Sequence, residues 1–185
     1  MANFLEQTLE DIIVENSQII HNRGFQKMYK CLERQFRLPS GKIIDILTWE
    51  IRGDVIYAKI IELKRGVCDE SAFWQGLAYL EEFMLSVIQD FSNFDIRLIV
   101  CGDSVVDNLG SLIFIDSNVK FYSYKYDYDG IRFNTNESDA SPIRETQDGR
   151  RVKLPSSSPS AGSLGDRLRE IDIRVDMAKA NQEEV

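Results

Sequence analysis

The sequence predicts a mixed α/β domain, a central sheet of parallel and antiparallel strands with helices packed on it. Three observations lead there. Two runs rich in Ile, Val and Tyr, Lys42–Trp49 and Val55–Leu63, flank Arg52-Gly53-Asp54 and read as an antiparallel hairpin. Asp69–Phe91 follows as the longest helical segment, with Phe73, Leu77, Leu80, Met84, Val87 or Ile88, and Phe91 on one apolar face. Ile96–Cys101 then reads as an apolar strand of the sort buried on both faces.

The remaining elements fall in order around these. Phe4–Ile20 places Leu5, Leu9, Ile12 and Ile13 on one helical face, with a break or second cap at Asn16-Ser17 and a stop at Asn22-Arg23-Gly24. Residues 29–38 alternate loosely as a strand does, and Pro39-Ser40-Gly41 turns the chain into the hairpin. The Arg-Gly-Asp triplet carries no adhesion meaning, because a turn explains it. After Cys101 a short helix is expected from about Ser104 to Leu112, then strands near Ile113–Ile115 and Val119–Tyr126. Composition changes after Asn134. Residues 135–163, including the run Ser156–Ser163, carry Thr, Asn, Ser, Pro and Gly and read as a linker. Beyond it Leu164, Leu168, Ile171, Val175 and Ala178 recur at spacings of 4, 3, 4 and 3, a narrow apolar seam. Two heptads are too few to be stable alone. The organisation is thus a domain over residues 1–134, a linker over 135–163, and a short amphipathic helix over 164–185. That helix is expected to dock on the domain, or to pair with another copy or a protein partner.

Composition narrows the function. An apolar share of 43% with 10% aromatics is ordinary for a soluble globular protein. No apolar run approaches the roughly 18 residues that span a bilayer, and Met-Ala-Asn-Phe-Leu-Glu-Gln lacks the secretory pattern. A cytoplasmic protein with no membrane partner is expected. The net charge of −8 argues against a protein that coats nucleic acid non-specifically, but not against an enzyme that gathers carboxylates in one site. Cys31, Cys68 and Cys101 are far apart and His21 is the single histidine, so a structural zinc site is not expected. Cys101 is most simply a core thiol, and His21 a structural or solvated residue.

The chemistry gathers in the hairpin. Glu62 and Lys64 stand two apart and so share a strand face, separated by apolar Leu63. Asp45 sits inside another apolar strand, Ile43-Ile44-Asp45-Ile46-Leu47. Burying an unpaired carboxylate costs several kcal/mol, so such groups must neutralise one another or hold a cation. A hard divalent ion such as Mg²⁺ takes one or two carboxylates and keeps its waters. Two acids, one lysine and a metal suffice for phosphodiester hydrolysis.

The ordered set Leu9-Glu10-Asp11, Ser40–Leu47 with Asp45, Ile61-Glu62-Leu63-Lys64-Arg65-Gly66 and Gln75-Gly76-Leu77-Ala78-Tyr79-Leu80 resembles the PD-(D/E)xK nuclease superfamily. More narrowly it is similar to the catalytic domain of the archaeal and actinobacterial mismatch endonuclease family, over roughly residues 5–134. Ile44 stands where the motif's name has proline. The resemblance implies a restriction-endonuclease-like core and a Mg²⁺- or Mn²⁺-dependent deoxyribonuclease. It makes Asp45, Glu62 and the Leu63 carbonyl the metal ligands, and Lys64 the residue that positions water or stabilises charge. Gln75 would orient a water or touch the phosphate, with Tyr79 one turn on. Glu10 matches the family's helix acid, and Glu15 is the fallback.

Each of these residues has an ordinary alternative. An isolated Glu-x-Lys is usually a surface salt bridge; Asp45 and the Gln75 helix, in order, tip the balance to chemistry. Glu10 and Glu15 each suit the polar face of a helix. Arg34, Arg37, Lys42, Arg65 and Lys59 are placed to rim a nucleic-acid groove, Lys42 and Arg65 nearest the motif, although scattered cations usually serve solvation. Trp49, Trp74 and Tyr57 read as core. Arg150-Arg151-x-Lys153 reads as part of a charged linker. The expected partner is nucleic acid, DNA first. The alternative is a catalytically idle nuclease scaffold that binds nucleic acid or protein in an assembly.

Overall fold

A computed structural model of the chain describes residues 6–15, 28–87, 89–106, 109, 119–127, 130–135 and 163–183. Its elements are α1 (Glu6–Glu15), β1 (Cys31–Arg37), β2 (Ile43–Arg52), β3 (Val55–Leu63), β4 (Val67–Cys68), α2 (Glu70–Val87), β5 (Asn93–Gly102), β6 (Ser104–Val105), β7 (Val119–Asp127), β8 (Gly130–Thr135) and α3 (Leu164–Glu183). Six strands form one mixed sheet in the order β1-β2-β3-β5-β7-β8. The β1-β2, β2-β3 and β7-β8 pairs are antiparallel, and β3-β5 and β5-β7 are parallel. Helices pack on it, as the mixed α/β class requires. No helix among the described residues is long and apolar enough to cross a membrane.

The hairpin forms where expected. Gly53 takes φ 62° at the first position of the two-residue loop between Arg52 and Val55. A positive φ there is the demand of a type II′ turn, which glycine meets without strain. The α2 helix starts on an N-cap: the Asp69 carboxylate accepts the Ala72 N–H at 3.0 Å. It ends at Val87, where the Asp90 N–H closes a turn on the Val87 carbonyl at 2.9 Å, so Phe91 is buried beyond the helix rather than in it.

The sheet divides the core in two. On one side α2 and α3 cover Ile56, Ala58, Ile60, Leu98 and Val100; on the other α1 covers Ile46, Ile61, Leu63, Ile99 and Cys101. Gly76 lets α2 settle on β5, because a Cβ there would stand 2.8 Å from Leu98 Cδ2 and 3.2 Å from Val100 Cγ2. The neighbouring Gln75 is thereby brought down to the end of β3.

β1 explains its own loose alternation. Gln35 has φ 51°, unusual for a residue with a side chain. The ladder pairs Arg34 with Ile46 and Phe36 with Ile44 but skips Gln35 and Asp45, while the register is kept on both sides. Side chains change faces there: Arg34 meets the acids of α1, and Phe36 packs edge-on against Phe83 of α2 at 6.3 Å. Asp45 lies in the interruption.

Two expectations are corrected. Ser104–Val105 is not the start of a helix but a short strand parallel to β4. The Asp103 N–H on the Gly66 carbonyl, at 2.7 Å, and the Val106 N–H on the Cys68 carbonyl, at 3.2 Å, hold the chain extended. Ile96–Cys101 is not apolar throughout, since Arg97 lies within it and is exposed. Leu109 is the described remainder of the expected helix. The strand expected at 113–115, His21, the stop expected at 22–24 and residues 136–162 of the linker expected over 135–163 lie outside the described residues, while Thr135 ends β8.

The C-terminal helix docks on its own domain. Ser163 caps it, accepting the Asp166 N–H at 3.1 Å. Leu168 is buried in the α2-side core with Leu164, Ile171 and Val175 packed beside it, and the Trp49 indole N–H reaches the Leu168 carbonyl at 3.4 Å. Asp172, also buried, accepts from Lys30 at 2.8 Å and from the Ile51 N–H at 3.4 Å.

One close approach ties the sheet to the loop after β3. A Cβ on Gly102 would stand 2.5 Å from the Gly66 carbonyl oxygen and 2.8 Å from Cys68 Sγ. Backbone cannot step aside as a side chain can. Gly102→Ala is therefore expected to lower unfolding free energy by about 1–3 kcal/mol, the usual range for overpacking, as measured by denaturant titration. An unchanged midpoint would show that the loop yields freely.

Candidate active site

The β2-β3 register ends at Ile46 and Ile61. Carried one residue further, it sets Asp45 opposite Glu62, and directly opposed residues share a face. Instead of continuing the ladder, the Asp45 carboxylate accepts the Leu63 N–H at 2.7 Å. The acid is thus fixed to the strand end that carries the Glu-x-Lys pair. Ile61 and Leu63 point to the α1 side, so Glu62 and Lys64 point to the α2 side.

There they meet α2. Glu62 is 4% exposed. Its Oε1 accepts from Lys64 Nζ at 2.8 Å, and its Oε2 is buried. Lys64 Nζ also donates to Gln75 Oε1 at 2.7 Å, and Gln75 Nε2 donates to the Tyr79 hydroxyl at 2.6 Å. A chain of hydrogen bonds therefore runs from Glu62 through Lys64 and Gln75 to Tyr79, with Asp45 beside its start. Burial draws the Lys64 ammonium toward the neutral form, but the Glu62 hydrogen bond, the Glu62 charge and then the Asp45 charge outweigh it and raise its pKa. These acidic neighbours hold Lys64 toward its cationic form.

The other singled-out residues are placed differently. Glu10 is buried at 6% exposure, but its carboxylate is held by Arg34 Nε at 2.7 Å and Gln35 Nε2 at 2.9 Å. Arg34 also takes Asp11, and Glu15 at 3.2 Å, which makes it the hub of an acid cluster rather than a groove rim. Through Gln35, Glu10 touches the residue across from Asp45, on the α1 side of the sheet. Lys42 is exposed and pairs with Glu82 of α2 at 3.2 Å, and Arg65 is exposed in the loop beyond Lys64. Among the described residues, no three His, Cys, Asp or Glu side chains form a group able to hold a metal. Cys101 is buried, as a core thiol should be, and so are Cys31 and Cys68, whose thiols burial pushes up to about 12.

Trp49 is core, but Trp74 is not. It is 48% exposed, its indole N–H bonded to Glu70 at 3.0 Å. Helical periodicity alone puts position 74 beside Phe73 but off the buried stripe, a signal available from spacing. Tyr57 is half-buried, on the α1 side.

No protein-family model matches the chain, and no curated protein matches it. Among solved structures it is similar to the crystal structure of a repair endonuclease from Pyrococcus abyssi, with a TM-score of 0.49 and 19% identity. That weak likeness covers 66% of this chain and 48% of the other, so the chain spans about half that protein's length.

Proposed function

We propose that this chain is a metal-dependent nuclease that hydrolyses phosphodiester bonds, in DNA first. The observation that carries this is the convergence of Asp45, Glu62 and Lys64 on one end of the hairpin, with Gln75 closing on the lysine at 2.7 Å. The donor set suits a hard divalent ion: two carboxylates and a backbone carbonyl, all oxygen, with room in such a shell for waters. Asp45, Glu62 and the Leu63 carbonyl would hold Mg²⁺ or Mn²⁺. When bound, that ion lowers the pKa of a water and offsets charge on the phosphate.

The chain's own groups supply the rest. Lys64, kept cationic by its acidic neighbours, offers a proton-bearing charge to a phosphate oxygen as negative charge builds there. Gln75 holds that ammonium in place with its oxygen, and Tyr79 fixes the Gln75 amide in turn. Such a clamp limits the rotamers of a long side chain before substrate arrives. Lys42 and Arg65 lie outward, where a phosphate backbone would pass. The preference for DNA rests on the ordered motif set and its resemblance to the mismatch endonuclease catalytic domain.

Purified protein is expected to nick or degrade DNA with Mn²⁺ or Mg²⁺, and Glu62→Gln to abolish this. Glutamine keeps an oxygen for Lys64 but removes the charge that a cation needs. A clean preparation inactive on single-stranded, duplex and branched DNA and on RNA would end the nuclease reading. One observation favours a second reading: Glu62 and Lys64 already neutralise each other, and among the described residues no three His, Cys, Asp or Glu side chains form a group able to hold a metal. A nuclease scaffold without turnover, binding nucleic acid or a protein partner, has the same features. Binding that survives Glu62→Gln, with no cleavage under any metal, selects it.

A further inference from the structure

The stretch of β2 that carries Asp45 is placed from both of its ends. On one side the register on β3 begins at Ile46. On the other, Ile43 and Ile44 pair with Arg37 and Phe36 of β1, and the chain between those pairs closes in a tight turn. The Leu38 N–H reaches the Lys42 carbonyl at 2.8 Å, and the Gly41 N–H reaches the Leu38 carbonyl at 2.9 Å. Three steps of extended chain, about 10 Å, separate Lys42 from Asp45. Any rocking of the turn is therefore passed along the strand to the carboxylate.

One side chain of α2 grips that turn. Ser40 donates its N–H to Glu82 Oε1 and its hydroxyl to Glu82 Oε2, each at 2.8 Å, and Lys42 Nζ lies 3.2 Å from Oε2. Both carboxylate oxygens are thus engaged, and the Glu82 side chain is only 19% exposed. Burial opposes its charge, but the Ser40 N–H, the Ser40 hydroxyl and Lys42 outweigh it and lower its pKa. Charge-assisted contacts of this kind are stronger than neutral ones. Glu82 stands seven residues beyond Gln75, which is two turns of the same helix, about 10 Å, along one face. That face of α2 holds the end of β3 through Gln75 and Lys64, and through Glu82 the turn that feeds β2.

We infer that Glu82 is a positioning residue, whose grip on the Ser40–Lys42 turn sets where the Asp45 carboxylate stands against Leu63 and Glu62. The inference rests on the nuclease reading for its consequence, because that separation decides whether one cation reaches both acids. Sites of this kind need their groups held within about 0.5 Å. A helix that clasps both strand ends can supply that precision, since its own backbone is rigid over two turns. Glu82 acts only through Asp45, which distinguishes it from Gln75 and Lys64.

The test reads the Asp45 contact directly, by amide hydrogen exchange of the full chain in EDTA, followed residue by residue by NMR. The Leu63 N–H rests on Asp45 at 2.7 Å. The next amide, Lys64, rests on the Cys101 carbonyl at 2.7 Å and serves as the internal control. Glu82→Ala keeps a strong helix former in α2. It should speed Leu63 exchange about tenfold or more, the scale of one lost charged hydrogen bond, while Lys64 changes little. Glu82→Gln retains an acceptor for the Ser40 N–H and should recover most of the protection. Mn²⁺ affinity by calorimetry should fall about tenfold in Glu82→Ala, the scale on which residues behind a metal ligand act. Leu63 exchange at the wild-type rate, or Leu63 and Lys64 loosening equally, would overturn the inference whatever the melting temperature does. A wild type that binds no Mn²⁺ and cuts nothing, with the Leu63 effect present, sinks the nuclease reading alone. Mn²⁺ binding by the wild type that Glu82→Ala keeps at full strength sinks this one alone.

Discussion

Asp45→Asn is expected to remove Mn²⁺ binding and cleavage together while leaving the melting temperature close to wild type; Asp45→Ala should lose stability as well. The difference comes from what the carboxylate does. One oxygen accepts the Leu63 N–H at 2.7 Å, where the ladder between β2 and β3 has ended. Asparagine can present a carbonyl oxygen there, so that contact survives and only the charge is lost. Alanine leaves a half-buried N–H without its acceptor, a loss of about 1–3 kcal/mol. Metal affinity should fall more than about 100-fold in either variant, since even the outer partners of metal ligands command a 10- to 100-fold effect. Isothermal calorimetry with Mn²⁺ and a thermal melt on each variant separate the two effects. Wild-type affinity in Asp45→Asn would mean that Asp45 only buttresses the strand end.

Asp45 was legible because it is out of place. A carboxylate inside Ile43–Leu47 contradicts the burial that the strand otherwise promises, and such contradictions gather at functional sites. The same logic marked Glu62 and Lys64, and the hairpin followed from β-branched runs around a glycine turn. These are local signals. What could not be read was non-local. Nothing in Glu33-Arg34-Gln35-Phe36 announces the left-handed residue at Gln35, yet that residue reverses the faces of β1 and aims Arg34 at α1. Whether Glu10 reaches the proposed metal-binding end or an arginine depends on that reversal; the resemblance singled Glu10 out, while helical periodicity placed it only on a polar face. The short strand at Ser104–Val105 is likewise imposed by backbone bonds to residues 66 and 68, against a local pattern that suits a helix.

Residues that only the sheet register brings together show the same limit. Lys59, Arg97 and Lys120 come from three strands and are more than twenty residues apart in sequence, so they look like scattered solvation until the register assembles them. Arg97 was hidden inside a run that otherwise deserves the description apolar. Local contradiction finds a buried acid; only topology finds a charged face.

Lys64→Met is expected to lower the melting temperature in EDTA and to make it climb more steeply with Mn²⁺ than in wild type. The variant removes the ammonium that neutralises a carboxylate of 4% exposure. Breaking a buried ion pair from one side costs about 3–5 kcal/mol. The Lys64 side chain is 21% exposed, which points to the lower end. About 3 kcal/mol corresponds to roughly 6–12 °C for a chain of this size. A divalent ion would then supply the missing charge without competing with the ammonium, and ligand binding to the native state adds stability in proportion to the logarithm of its concentration over Kd. The pH dependence has a definite sign. Because the folded pKa of Lys64 is raised, its contribution is complete below the ordinary lysine value near 10.4 and is lost as pH rises through the higher folded value. The gap between wild type and variant should therefore be flat from about pH 7 to 9.5 and narrow only above about pH 10.5. Equal melting in EDTA, or a Mn²⁺ response no steeper than wild type, would mean that Glu62 and Lys64 do not share a pocket open to a cation.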